Sequence, residues 1–262
     1  MKQLLIILVA ATVSLSAFGQ ETTKKANTRK EEKRKRISEL MKHEEEGVIA
    51  YKKHFAGGIK LNTDGYGIFV EKGLARSVKR AMLFQLEISE KKHQKETKQN
   101  NPSGQSAPLI YGKLNFFYPI KLGVQLQFLL GNKSNKNGVS ITANVGGGLI
   151  IGLLRPYMVE VDKGGVQTYV KYDSPDSTLF VNGPFYGGPR FGNGWNGLKV
   201  TPGIYLKPAV RFDYGRFNEM LSAIEVGLTG EFYTQKIPQM LYQKHQQFFF
   251  SAYVALAFGK RK

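Results

Sequence analysis

The sequence predicts an all-β protein: an eight-stranded antiparallel transmembrane β-barrel, preceded by a short basic periplasmic segment able to form a helix. Three observations lead there. The chain opens with an export-type signal. From Tyr51 onward, apolar and polar residues alternate with a period of two. The alternating segments number eight, and the connections between them are short and long in turn.

The first element is the signal. Met1-Lys2-Gln3 is a short basic start, and Leu4 to Phe18 is an apolar run. Ala17 and Gly19 place small residues before a cut ahead of Gln20, the layout of a secretory signal peptide over residues 1–19. The run is shorter than the roughly 18 apolar residues that read as a membrane-spanning helix. An uncleaved N-terminal anchor is the other reading.

Composition bears on the partner. The 262 residues include 38 Lys or Arg against 20 Asp or Glu, a formal charge of +18. Such a balance suggests nucleic acid in a cytoplasmic protein. An exported chain does not meet chromosomal DNA, so no nucleic-acid partner is expected. With no cysteine, a disulfide scaffold, a thiolate metal site and a cysteine nucleophile are excluded. The 42% hydrophobic content, 12% of the chain being aromatic, is too high for a disordered protein.

Residues 20–50 form a separate segment. Lys24 to Arg36 holds eight basic residues and two acidic ones, and Lys30, Lys33, Arg34, Lys35 and Arg36 are its densest part. Glu44-Glu45-Glu46 then reverses the charge. Glu, Lys, Arg and Leu favour helix, but the apolar stripe is thin. The stretch reads as a solvated tail or helix, or as a basic arm that docks on an anionic surface or partner.

The barrel, residues 51–262, is read from alternation. In Pro108 to Gly131 the even positions, such as Leu114, Phe116, Leu122 and Leu126, are apolar; Lys113, Asn115, Lys121, Gln125 and Gln127 lie between them. The phase does not slip at Pro119, which argues for one long strand with a bulge or irregular pairing there. Segments 54–62, 65–75, 78–92, 138–160, 199–214, 219–235 and 247–259 behave similarly. A long aromatic-rich face opposite a polar face of both charge signs fits lipid outside and a packed lumen inside. A soluble exported sandwich or barrel is the alternative.

Parity fits. Short turns are expected at Gly73–Ser77, Asn132–Asn137 and Gly215–Asn218 on the periplasmic side. Connections Asn62–Gly65, His93–Ala107, Val161–Leu198 and Gln235–Gln246 would lie outside. An eight-stranded barrel has room only for its own side chains. Lys60, Glu71, Glu87, Lys113, Lys121, Lys207, Arg211, Asp213, Glu225 and Glu231 are therefore expected inside, paired with one another. Within that network Lys207, Arg211, Glu225 and Glu231 are the principal members.

The signal peptide, the alternation and the closing strand Phe248–Phe258 resemble the small outer-membrane β-barrel proteins of Bacteroidota, of the OmpA/OmpX-like or PorT-like kind. Gly152-Leu153-Leu154-Arg155-Pro156-Tyr157, Pro202 to Lys207 and Glu225-Val226-Gly227 carry the same likeness. It implies an outer-membrane location and covers about residues 50–262. It transfers no catalytic residue. Four residues follow Phe258, a departure from the usual terminal aromatic.

The search for chemistry finds little. His43, His54, His93 and His245 have no metal-pair spacing, and HExxH is absent. No cofactor and no metal are expected. His93 and His245 fall at outer ends, where a lipid-modifying Ser/His site could sit, but spacing ties no serine to either. Val161 to Leu198 mixes glycine with aromatics and reads as a self-packed lid. Tyr186, Arg190, Phe191 and Trp195 within it are the candidate partner contacts, since Trp, Tyr and Arg dominate interface hot spots. Lys91, Lys92, Lys95 and Lys98 could meet lipopolysaccharide phosphates.

The expected function is a non-enzymatic structural, anchoring or partner-binding role at the outer membrane. The expected partners are outer-membrane lipid, lipopolysaccharide and a periplasmic or outer-membrane protein. The alternatives are a lipid-modifying enzyme and an accessory component of a secretion or transport machine.

Overall fold

The computed structural model describes residues 52–77, 79–100, 107–133, 138–172, 175–215 and 219–262. The signal segment and the basic arm lie outside the described residues. Eight long strands close into an antiparallel barrel: β1 (Lys53–Asn62), β2 (Gly65–Ser77), β3 (Arg80–Lys91), β6 (Asn115–Gly131), β7 (Ser140–Pro156), β11 (Lys199–Asp213), β12 (Met220–Ile237) and β13 (Gln246–Arg261). Each pairs with its sequence neighbour among these eight, and β1 closes the ring on β13, with His54 opposite Arg261 and Asn62 opposite Tyr253. Closure leaves no unpaired barrel edge. The ends of β1 and β13 at Lys53 and Arg261 define the terminal mouth; the opposite end is the loop mouth.

Period-two alternation decides what each face meets. One outward residue from each barrel strand, Ile59, Ile68, Phe84, Leu122, Leu149, Leu206, Val226 and Phe250, is exposed. Lys60, Gln85, Lys121, Lys207 and Glu225, one position away from five of them, are buried inside the barrel. Glycines make room for the inward side chains. A β-carbon on Gly123 of β6 would overlap the Tyr205 hydroxyl, which crosses the lumen from β11, and the Gly147 carbonyl of β7.

The barrel strands follow the expected segments with three corrections. β2 continues through Gly73–Ser77, which is strand and not turn; the connection to β3 lies at residues 78–79. The segment from Pro108 is not one strand: Leu109–Ile110 (β5) pairs with Lys98–Gln99 (β4), Gly112 turns the chain at φ +69°, and the barrel strand begins at Asn115. The segment to 160 also divides, because β7 ends at Pro156 and Tyr157 donates its backbone N–H to Leu114. At Pro119 the register with β7 runs on unbroken, opposite Gly152. The β3 ladder steps from Ile88–Ile120 to Lys91–Phe117, passing over the residue that lacks an N–H. The register shift in β6 lies elsewhere, between Leu129 and Gly131.

The long connection after β7 is a folded cap. β8 (Met158–Lys163) and β9 (Val166–Lys171) form a hairpin through Gly164-Gly165, both at positive φ, as a tight two-residue turn of this hand requires. β10 (Phe185–Gly187) adds to the free side of β8, and helix α1 (Ser177–Asn182) buries Phe180 against the sheet. Ile110, Tyr157, Val159, Val161, Val170 and Phe180 are its core. The Tyr157 hydroxyl accepts from the Ile110 N–H at 2.8 Å, and burial pushes that hydroxyl up to about 12.

Candidate functional site

The lumen holds two tiers of charge. In the tier nearer the terminal mouth, Arg211 on β11 donates through Nη1 and Nη2 to the Glu71 carboxylate of β2 at 2.6 and 2.8 Å. Its Nε donates to Glu225 on β12 at 2.8 Å. Glu225 also receives Lys207 at 3.0 Å, the Tyr253 hydroxyl at 2.7 Å and the Asn144 amide at 2.9 Å. His54 approaches Glu71 at 3.5 Å. In the second tier Glu87 lies between Lys60 at 3.0 Å and Lys121 at 2.8 Å. Lys121 and Lys91 share Glu231 at 2.9 and 3.0 Å, and Lys91 reaches Asp64 at 2.7 Å.

Opposite charges therefore meet across the whole interior. Lys60, Lys91, Lys121, Lys207 and Arg211 stand among Glu71, Glu87, Glu225, Glu231 and Asp64. A buried charge is tolerated only with such partners. Above the tiers Phe117, Tyr233 and Phe249 pack ring to ring at 5.3–5.7 Å, with Ile150, Leu154 and Ile237 around them. This apolar stopper fills the barrel toward the loop mouth.

At the terminal mouth the filling stops. A cavity of about 300 Å³ opens there, with Arg211 and Asp213 deep in its lining and Lys52, Arg76, Lys79 and Arg80 among the residues nearer its rim. Asp213 is held by Arg261.

Most expected lumen residues are where alternation places them: Lys60, Glu71, Glu87, Lys121, Lys207, Arg211, Asp213, Glu225 and Glu231 are all buried. Lys113 is a correction. It lies ahead of β6, bridges to Met240, and gives its ammonium to Glu96 of the loop after β3 at 2.6 Å. The Gly112 turn resets the phase that had put it inside. Burial pulls the Lys113 ammonium below its ordinary value, against the pull of Glu96. Lys91 is a second correction: it is a lumen residue, not a loop cation.

The candidate contact residues divide. Phe191 is 81% exposed and Arg190 is exposed. Trp195 stacks on Tyr118 with ring centres 6.0 Å apart and donates its indole N–H to the Phe191 carbonyl at 2.8 Å. Tyr186 lies apart in β10, half-buried. Arg155, which carried no signal of this kind, is the hub. Its buried guanidinium lies 4.1 Å from the Phe116 ring and 4.9 Å from the Trp195 ring, and it donates to the Phe191 carbonyl at 2.9 Å. Lys30, Lys33, Arg34, Lys35 and Arg36 lie outside the described residues.

Among the described residues, no cluster of His, Asp and Glu is arranged to hold a metal. His93 Nδ1 accepts from the Lys95 N–H at 3.2 Å, and burial pulls the imidazole below its ordinary value. Among the described hydrogen bonds, none joins a serine hydroxyl to His93 or His245.

The fold and its contents define a small closed β-barrel of eight strands whose lumen is filled by its own side chains. Among solved structures, the chain is similar to Neisserial surface protein A (10% identity over 81% of this chain and 96% of that one, TM-score 0.37). It is similar to the N-terminal β-barrel domain of Pseudomonas aeruginosa OprF (9%, 81% and 98%, TM-score 0.34). A third is Ail, the attachment invasion locus protein of Yersinia pestis (7%, 81% and 99%, TM-score 0.39). No protein-family model and no curated protein sequence matches the chain.

Proposed function

We propose that the protein is an outer-membrane β-barrel with a non-enzymatic role: a rigid, lipid-embedded platform that anchors and presents contact surfaces at the cell envelope. One observation carries this reading. The outward face is a continuous apolar belt, while the charged side chains of the lumen, Lys60 with Glu87 and Arg211 with Glu71 among them, are turned inward and paired. In water that arrangement would expose the wrong face; in lipid it is the stable one, because the closed sheet leaves no unpaired barrel edge. The strands of 10–18 residues are long enough to cross, since about 9–11 suffice. The terminal mouth then faces the periplasm and the cap faces outward.

The filled lumen favours anchoring over diffusion. Contacts would be made by the cap, through Phe191 and Arg190, with outer-leaflet lipid, lipopolysaccharide or a protein. The basic arm from Lys24 to Arg36 would make them on the periplasmic side. The test is recovery of the native protein in the outer-membrane fraction, with a folded band that migrates faster on gels until heated. Recovery as a soluble periplasmic protein would refute the reading.

A further inference from the structure

The terminal mouth has an imbalance that the lumen lacks. In the two tiers, Lys60, Lys91, Lys121, Lys207 and Arg211 each meet a carboxylate. The cavity of about 300 Å³ at the mouth is lined by six cations and one carboxylate. Two of the six are already satisfied: Arg211 by Glu71 and Glu225, and Arg261 by Asp213. Lys133 also approaches Asp213, at 3.6 Å, so the carboxylate of the lining is fully engaged. The other four, Lys52, Arg76, Lys79 and Arg80, are exposed, and among the described residues no carboxylate pairs with any of them.

Backbone bonds hold the four together. The Ala75 N–H donates to the Lys52 carbonyl at 3.0 Å, fixing the start of β1 beside the end of β2. The Leu129 N–H donates to the Lys79 carbonyl at 2.9 Å, tying the connection between β2 and β3 to β6. Arg80 leans on β6 as well, its guanidinium 5.8 Å from the Phe128 ring. Charges fixed in this way need little further ordering when a ligand arrives. The deeper wall adds a neutral donor. The Thr142 hydroxyl accepts from the Gln127 amide at 3.0 Å, which leaves its own proton to give.

We infer that the terminal mouth binds a compact phosphoanion, held by Lys52, Arg76, Lys79 and Arg80 with one of its oxygens at the Thr142 hydroxyl. Cations gathered around a concave site raise the local concentration of anions. Guanidinium forks match phosphate oxygens, and ammonium groups add point charge. A phosphate group offers several acceptor oxygens, enough to meet donors on the rim and in the wall at once; a lone carboxylate offers two. The volume is at the small end of ligand cavities, about 300–1,000 Å³, which fits one or two phosphate groups rather than a polymer. The inference rests on the reading of this mouth as the aqueous periplasmic end. Such an anion arrives there either free in solution or as the headgroup of a neighbouring lipid.

The test is calorimetric titration of the full mature chain, folded in zwitterionic detergent micelles, with inorganic pyrophosphate. Lys52→Gln, Arg76→Gln and Lys79→Gln together are expected to weaken binding about tenfold, since all three are exposed charges. Thr142→Val is expected to weaken it about fivefold, and Thr142→Ser to restore it, because only the hydroxyl is at issue. The basic residues 24–36 are the same in every chain compared, so their own attraction for pyrophosphate cancels in the differences. Equal affinity in the wild type and the triple variant overturns the site. Equal affinity in the wild type and Thr142→Val overturns it too, because the anion would then sit on the rim and not in the cavity. Phosphatidylglycerol added to the micelles separates the two sources. If it displaces pyrophosphate from the wild type more than phosphatidylcholine does, the site takes a lipid headgroup; if the two lipids act alike, it takes a free phosphoanion. Heat-modifiable migration, read on the same samples, reports the barrel separately, so a failed site and a failed barrel give different results.

Discussion

Arg211 and Glu71 join opposite walls of the barrel. β11 and β2 stand four places apart in a ring of eight, and the guanidinium holds both carboxylate oxygens, at 2.6 and 2.8 Å. The same Arg211 holds Glu225 on the adjacent strand. One side chain thus ties three strands across the lumen. Removing one partner of a buried pair leaves an uncompensated charge, which costs about 3–5 kcal/mol. Arg211→Leu should therefore lower the stability of the lipid-inserted barrel by about that amount, measured by urea unfolding in vesicles. Arg211→Leu with Glu71→Leu should recover part of the loss, because Glu225 keeps Lys207, Tyr253 and Asn144. A double variant weaker than the single one would contradict the cross-lumen pairing.

Gly123 tests the packing of the same interior. Its missing side chain leaves the space that Tyr205 and the Gly147 carbonyl occupy. Gly123→Ala must displace one of them, and overpacking of this kind costs about 1–3 kcal/mol. Gly131, on the same strand, is the control: a β-carbon there meets only Ile141 at 3.9 Å, an ordinary contact. The urea midpoint should fall in Gly123→Ala and stay near wild type in Gly131→Ala. Equal midpoints would mean that the Tyr205 ring is not where the structure puts it.

The barrel was legible in the sequence because its two faces meet opposite environments. Residues such as Lys207 and Arg211 could be placed as one position out of phase with Leu206 and Val210, without knowing the fold. The count fails where the backbone stops being a strand. Lys113 was misplaced by the turn at Gly112, which a polar–apolar count does not register. Lys91 ends β3 and continues into Lys92 and Lys95, so composition hid its inward direction. Arg155 follows buried Leu154 and out of phase with it caps a ring of aromatics drawn from β6 and from residues 191–195. Nothing local announces a partner so far along the chain. The cap was readable only as a self-packed lid over Val161 to Leu198: its core joins Ile110 to Phe180 across seventy residues.

Trp195 should control access to Arg190. Its ring stacks on Tyr118 and its N–H bonds the Phe191 carbonyl at 2.8 Å, so it pins the segment that carries the exposed arginine. Aromatic stacking contributes about 0.5–1.5 kcal/mol and the hydrogen bond about 1 kcal/mol. Losing both raises local opening by at least about tenfold. Trp195→Ala is therefore expected to speed trypsin cleavage after Arg190 by that factor in vesicle-inserted protein. Phe191→Ala, which removes a largely exposed ring, should change it much less. Equal rates in wild type and Trp195→Ala would show that the stack does not restrain the segment.

His93 makes the loop after β3 sensitive to acid. Burial pulls the imidazole below its ordinary 6.5, Glu96 opposes that shift, and Lys95 adds to it. The Lys95 N–H donates to Nδ1, a bond that only the unprotonated nitrogen accepts. Just below pH 6.5 the unfolded loop therefore binds more protons than the folded one, and linkage makes the folded loop less stable as pH falls. Above 6.5 both states are neutral at this position and the effect vanishes. An NMR titration of the His93 ring in the folded protein should give a midpoint below that of a short peptide of the same sequence. Glu96→Gln should lower it further and Lys95→Gln should raise it. A midpoint at or above the peptide's would sink this account, because His93 would then be stabilised in its charged form and the loop would tighten in acid.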